Sequence, residues 1–373
     1  MRRPFFMLDR CGLPGSFSTM VHGMTSILAS CIIIMALPAS LAAIPDRPRS
    51  AAGHAQAAGA DTVYAGDTSE RLGTAGKKEE ENKLTPEEIA EKKKGEEIMK
   101  TSIRYSILLA TPINTYLVAY LTWDWGRTTK FRLSREGWFG QNTYSGGADK
   151  AAHLFAHYVL MRVFYNIFDF TESGRPSKWA YAAGLTAFLA LGIEIGDGFC
   201  KNQHGFSPAD LTMGLLGIGL GALLELFPQV DAFVSLSAQY LPTKYFRRHP
   251  QRLKWLMDDY SGWRFMANIK LAGFRYIGIY VPEFMRYIQF DIGYYTTGFT
   301  KYDYRYAEIQ RGLAIHGKER NIYIGISINL VEFIKDFFAD TNSLACRALQ
   351  QPFKYYHVPL GVDHRFRLQG GNR

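Results

Sequence analysis

Four apolar segments, at about 103–123, 149–169, 178–196 and 207–227, limit what this chain can fold into more than any other feature. Each is close to the ~20 residues that cross a bilayer as a helix. None reads as a clean span, because Pro112 and Asn114 interrupt the first and the second opens with Asp149, Lys150, His153 and His157. Segments this apolar must be covered by one another or by lipid. Short connections make successive helices antiparallel neighbours. The expectation is an α+β chain: a four-helix apolar bundle, compact or membrane-embedded, followed by a small antiparallel β extension.

Antiparallel order has a consequence for the polar groups. The second helix begins at one end of the bundle, the third returns to finish there, and the fourth starts there. Asp149, Lys150, His153 and His157 should therefore meet Glu194 and Asp197, and also Ser207 and Asp210, with Trp123-Asp124-Trp125 alongside. No similar set is expected at the other end. Asp149, His153 and His157 recur every four residues and share a slowly drifting helix face.

Several chemistries fit such a cluster. In a binding or structural network, Lys150 offsets Glu194 and Asp197, since buried charges need partners. In a metal site, His153 and His157 sit one turn apart, as zinc ligands do, and Glu194, Asp197 or Asp210 adds an oxygen. The metal set is then His153, His157 and Glu194, around a divalent ion such as zinc. Catalysis would use His153 or His157 as general base, but no nucleophile stands out. Ser207 reads as a structural N-cap, with Pro208 at the first helical position and Asp210 at the third. Each residue also has an ordinary explanation: Asp149 favours a helix start, Lys150 forms an ion pair, and a buried histidine is hydrogen-bonded. Gly214, Gly217, Gly219 and Gly221 each cost about 1 kcal/mol relative to Ala in a helix. Their spacing permits close helix approach, in a membrane or in a tight soluble bundle.

The flanking regions read differently. Residues 1–42 form a signal peptide, with Arg2, Arg3 and Arg10 before the apolar Ile27 to Leu37 and small residues at Ser40-Leu41-Ala42. A retained membrane anchor is the alternative. Leu28-Ala29-Ser30-Cys31 also resembles a lipobox, though its cysteine precedes apolar residues that would normally come first. Export would leave Cys200 and Cys346, as a disulfide or as two thiols. Residues 43–84 hold too few large apolar groups to offset chain entropy and form a disordered linker. Thr85-Pro86-Glu87-Glu88 is a helix start with a capping box, opening the helical region 85–230. A basic connector, 231–262, carries Lys244, Arg247, Arg248, Arg252 and Lys254. Period-two alternation in "WRFMANIKL", "IQFDIGY" and "IYIGISINL" places an antiparallel β extension at 263–335. Residues 336–373 are a C-terminal tail. The net charge of +9 is scattered, which argues against nucleic acid and for anionic lipid head groups. Aromatic residues at 14% suit large buried surfaces or a membrane interface.

The motif resembles the YfiM-like family of periplasmic lipoproteins of unknown function, whose helical core is distantly similar to the VanZ-like family. The matching positions are Asp149-Lys150 and His153, Glu194 and Asp197-Gly198, then Gly205-Phe206-Ser207, Asp210 and Gly217. Met213 stands where that family usually has asparagine. The likeness spans roughly residues 100 to 335, and longer members carry a β extension. It implies an envelope protein and brings no reaction with it; His157 is not among the positions it carries. The functional expectation is an exported, membrane-associated cell-envelope protein on the periplasmic side. Its polar cluster acts in binding or structural specificity, or else in a metal-assisted hydrolase or transferase working on an envelope lipid or glycan. A path for a small solute or proton through the helices is a third option. The expected partners are membrane lipids or envelope components, not nucleic acid.

Overall fold

The computed structural model describes residues 85–368, apart from 124, 127–129, 135–136, 141–142, 144, 173, 201–204, 244–245, 248–258, 300–317, 339 and 342. The expected signal peptide, the Cys31 lipobox and the linker lie outside the described residues. So do Asp124 and, in the basic connector, Lys244, Arg248, Arg252 and Lys254.

Helix α1 (Pro86–Thr122) starts where the sequence places it. Thr85 Oγ1 accepts from Glu88 N at 3.3 Å, and the Glu88 carboxylate accepts from Thr85 N at 2.7 Å. This reciprocal box satisfies two of the donors a helix start leaves open. The helix then runs through Pro112 without ending. Proline removes one backbone donor, but packing against the next two helices holds both halves of α1 in line.

Three further helices follow: α2 (Ala148–Glu172), α3 (Ser177–Gly198) and α4 (Pro208–Leu226). Helix α2 packs on α3 and most extensively on α4, α3 also touches α4, and α1 lies against α2 and α3. Their shared core includes Tyr158, Met161, Phe164, Phe168, Leu185 and Leu189. Glycines explain how α2 and α4 come so close. A Cβ at Gly217 would sit 2.2 Å from Leu154 O, and one at Gly221 would sit 2.9 Å from Tyr158 O. Backbone meets backbone there. Two of the four expected segments, α3 and α4, are long and apolar enough to cross a membrane.

Short helix α5 (Pro228–Phe233) leads into a five-stranded antiparallel sheet ordered as in the chain. Its strands are β1 (Val234–Tyr240), β2 (Trp263–Lys270), β3 (Ile288–Thr297), β4 (Glu319–Ile328) and β5 (Gly361–Leu368). Helices α6 (Leu330–Lys335) and α7 (Leu344–Tyr355) lie between β4 and β5. The three expected strands are present, but two boundaries move. The stretch 231–262, expected to be a connector, contributes β1. The tail, 336–373, contributes α7 and β5. Both strands lie at the rims of the sheet, and β5 carries Asp363, His364, Arg365 and Arg367, which conceal its alternation. Cys200 and Cys346 are buried free thiols.

Candidate functional site

The site begins at a tight turn into α2. Gly146 and Gly147 adopt φ of 69° and 91°, the left-handed region where a side chain is strained. The Tyr294 hydroxyl on β3 donates to the Gly146 carbonyl. The turn presents buried Ser145, whose Oγ accepts from Gly147 N at 3.3 Å and Asp149 N at 3.4 Å. The same hydroxyl donates to the Asp149 carboxylate. Sequence reasoning missed Ser145, because a serine four residues before a helical aspartate falls outside the three-residue capping spacing.

Lys150 is fully buried. Its Nζ donates to Asp149 Oδ2 at 2.9 Å and lies 3.2 Å from Asp210 Oδ1 and 3.5 Å from Oδ2. An ammonium removed from water needs such neighbours. Asp210 occupies the first turn of α4, where its backbone N donates to Ser207 Oγ at 3.2 Å. That is the expected N-cap. Ser207 N in turn donates to Glu194 Oε2 at 2.9 Å, and Glu194 Oε1 lies 3.7 Å from His153 Nδ1. One continuous chain of contacts thus runs from Ser145 through Asp149, Lys150, Asp210, Ser207 and Glu194 to His153. It joins the starts of α2 and α4 to the end of α3, as antiparallel order requires.

His157 and Asp197 have other engagements. His157 Nδ1 faces the His153 carbonyl at 2.7 Å, which makes that nitrogen the protonated donor. The two imidazoles stack with centroids 5.8 Å apart. Burial, reinforced by the neighbouring His153 ring, pushes the His157 pKa down to about 4, so the ring is neutral at pH 7. Its Nε2 is buried without a hydrogen-bond partner among the described residues. Asp197 accepts from Trp125 Nε1 at 2.7 Å, beside the Cys200 thiol, which donates to Trp123 O at 3.0 Å. A strap closes over this end: Phe206 N donates to Arg132 O at 2.9 Å and Ser134 N to Phe206 O at 2.8 Å.

His153, Glu194 and Asp210 each offer one ligand atom, all within 4.8 Å of one another. Of the expected metal set, His153 and Glu194 face one another, and Asp210 stands in third place rather than His157. Among the described residues Asp210 Oδ1 has no hydrogen-bond partner, its nearby Lys150 Nζ lying off the bonding direction.

The expectation that the other end lacks a polar set is overturned. There Arg162 Nε bonds Glu225 at 2.7 Å, and its two terminal nitrogens bond the Asp231 carboxylate at 2.7 and 2.9 Å. The signal was a lone arginine in α2 and a lone glutamate in α4, each inside an apolar run. A third polar group lies in the sheet. Asp291 accepts from Asn268 at 2.7 Å and meets His357 Nε2 at 3.1 Å. Ser327 Oγ lies 2.8 Å from that same nitrogen. A Ser-His-Asp relay needs the two partners on opposite nitrogens, so this is not one.

Residues 135–226 match the family model described as "Predicted periplasmic lipoprotein (DUF2279)". The match takes in α2, α3 and α4 with the whole contact chain from Ser145 to Glu194, and ends before the sheet. It marks the protein as a membrane-associated component of the cell envelope, on the periplasmic side. No curated protein and no solved structure matches.

Proposed function

We propose that this envelope protein acts by binding, and that the cluster at the common end of α2, α3 and α4 holds a divalent cation. One observation carries the reading: an imidazole nitrogen and two carboxylate oxygens from three helices lie within 4.8 Å of one another. A tetrahedral ion with ligands at ~2.1 Å sets its ligands about 3.4 Å apart. Side-chain rotation of about 1 Å is enough to close on it. Lys150, next to Asp210, opposes a cation and keeps the affinity moderate, which suits an exchangeable ion. The four packed helices serve as one bundle in this reading. Phe188, Leu191, Leu215 and Leu216, exposed on α3 and α4, meet the membrane. The likeness to YfiM-like lipoproteins and to VanZ-like cores belongs to the same interpretation.

A second reading, metal-assisted hydrolysis or transfer on an envelope lipid or glycan, is favoured by His153. Its side chain keeps 23% exposure, leaving an approach to the ion for water or substrate. Ser207 is held as a cap, so a metal-bound water would be the nucleophile.

Calorimetric titration of the chelator-stripped protein with zinc and manganese tests the binding. Stoichiometric uptake is expected, weakened at least tenfold by Glu194→Gln or Asp210→Asn. Protein that takes up no stoichiometric metal after reconstitution would sink the proposal.

A further inference from the structure

The sheet has its polarity reversed. In an antiparallel sheet with one wet face, apolar residues normally turn inward and polar ones outward. Here Gln289, Asp291, Asn321, Tyr323 and Ser327 are buried, while Phe290, Ile292, Ile324 and Ile326 are 39–52% exposed. The polar face is concave and lines a cavity of about 150 Å³ between Arg264, Asp291, Tyr323, His357 and Asp363. Arg264 on β2 pairs with Asp363 on β5 at 2.7 Å, although two strands separate them. In a flat sheet those backbones would stand about 19 Å apart, three strand spacings across and four residues along, so the sheet curls. His357 N bonds Ala238 O on β1 at 2.9 Å, and its ring reaches Asp291 and Ser327. The chain then crosses the concave side to begin β5 at Gly361.

The convex face is apolar. Helix α2 covers its β1–β2 half, where Phe155 meets Phe265 with ring centroids 5.9 Å apart. The turn into α2 covers the Tyr294 end of β3, where Phe139 meets that ring; around Ile292, Ile324 and Ile326 about half of each side chain stays exposed among the described residues. The register aligns Ile292 with Ile324 and then His364, and Phe290 with Ile326 and then Val362, giving an apolar patch over β3 and β4 that His364 bounds on β5. Just ahead of β3, Tyr276, Tyr280 and Phe284 stand out into solvent.

We infer that the convex face of β3–β5 lies against an envelope bilayer, with its isoleucines among the acyl chains and Tyr276 and Tyr280 at head-group level. Three observations select lipid over a protein partner. Strands that are apolar outward and polar inward follow the pattern of lipid-facing strands. Exposed tyrosines at the strand ends fit the interfacial belt. The protein is membrane-associated. The face lies on the bilayer rather than across it, because the open β5 edge cannot enter hydrocarbon. The inference is independent of the cation site.

Vesicle co-sedimentation of the full chain carrying Cys31→Ala tests it, since that change removes any lipid on Cys31. The vesicles are phosphatidylethanolamine mixed with phosphatidylglycerol. Binding is expected, reduced about tenfold or more by Ile292→Asn/Ile324→Asn/Ile326→Asn, given three half-exposed side chains. Circular dichroism checks that the triple variant is folded. If it is not, Ile324→Cys carrying a polarity-sensitive dye gives a second readout, with a blue shift on vesicles expected. Glu194→Gln should bind vesicles like the parent, which separates this inference from the metal reading. Undiminished binding by a folded triple variant, or no dye shift, overturns it. So does a parent that ignores vesicles and self-associates through this face.

Discussion

Gly217→Ala and Gly219→Ala are expected to change stability in opposite directions, though both replace a glycine in the same helix by the best helix former. Each gains about 1 kcal/mol of helix propensity. At Gly219 the new methyl meets nothing within 4 Å, so the gain survives. At Gly217 it would lie 2.2 Å from Leu154 O and 3.0 Å from both Leu154 C and Tyr158 N. These are backbone atoms of α2 and cannot rotate away, so α2 and α4 must part by about 1 Å. Overpacking costs about 1–3 kcal/mol, and a rigid neighbour puts this case at the upper end. The net expectation is a loss of about 2 kcal/mol, and a gap of about 3 kcal/mol between the two variants. Equilibrium urea unfolding followed by far-ultraviolet circular dichroism reads this as opposite shifts of midpoint at similar slope. If both midpoints rise together, α2 and α4 do not touch through their backbones and the packing described here is wrong.

Two further outcomes are expected. Lys150→Met takes away the ammonium between Asp149 and Asp210, and should cost about 3–5 kcal/mol; adding Asp210→Asn should recover part of the loss, and urea midpoints measure both. Lys270, which donates to the Asp231 carbonyl, is held at a pKa of about 8, chiefly by burial. Its folded pKa lies below the unfolded value, so above about pH 8 the unfolded chain binds more protons and stability rises with pH. The rise is on the order of 2 kcal/mol up to about pH 10. Beyond that, Tyr116, raised to about 12 by burial, opposes it. Lys270→Met should flatten the rise; an unchanged slope would show that Lys270 is not its source.

Much of the helical half could be read from the chain because its signals are local. Thr85 and Glu88, and Ser207 and Asp210, fix two helix starts within a few residues. Connection length then dictates which ends meet, so Lys150 and Asp210 are placed at one end across sixty positions, but the partners expected of Lys150 are Glu194 and Asp197, whereas the structure pairs it with Asp149 and Asp210. What escaped depends on side-chain direction. Nothing in the spacing says that His157 turns to a backbone carbonyl while Asp210 takes its place beside His153 and Glu194. Arg162 and Glu225 passed as isolated charges because their meeting depends on how α2 and α4 face each other. The sheet shows the limit most plainly. Alternation in "NIYIGISINL" identifies a strand, but period two is the same whichever side is inside. Only the curl that brings Arg264 to Asp363 makes the isoleucines the outer side.

Where two main chains touch at Gly217, no flexible layer remains to absorb a change of spacing. The starts of α2 and α4 are therefore held like the jaws of a fixed gauge, and the gap between Lys150 and Asp210 is set by the scaffold. If a cation sits among His153, Glu194 and Asp210 as proposed, a different ion would be accommodated by changing the reach of those groups, as Asp210→Glu would, and not by sliding one rod along the other.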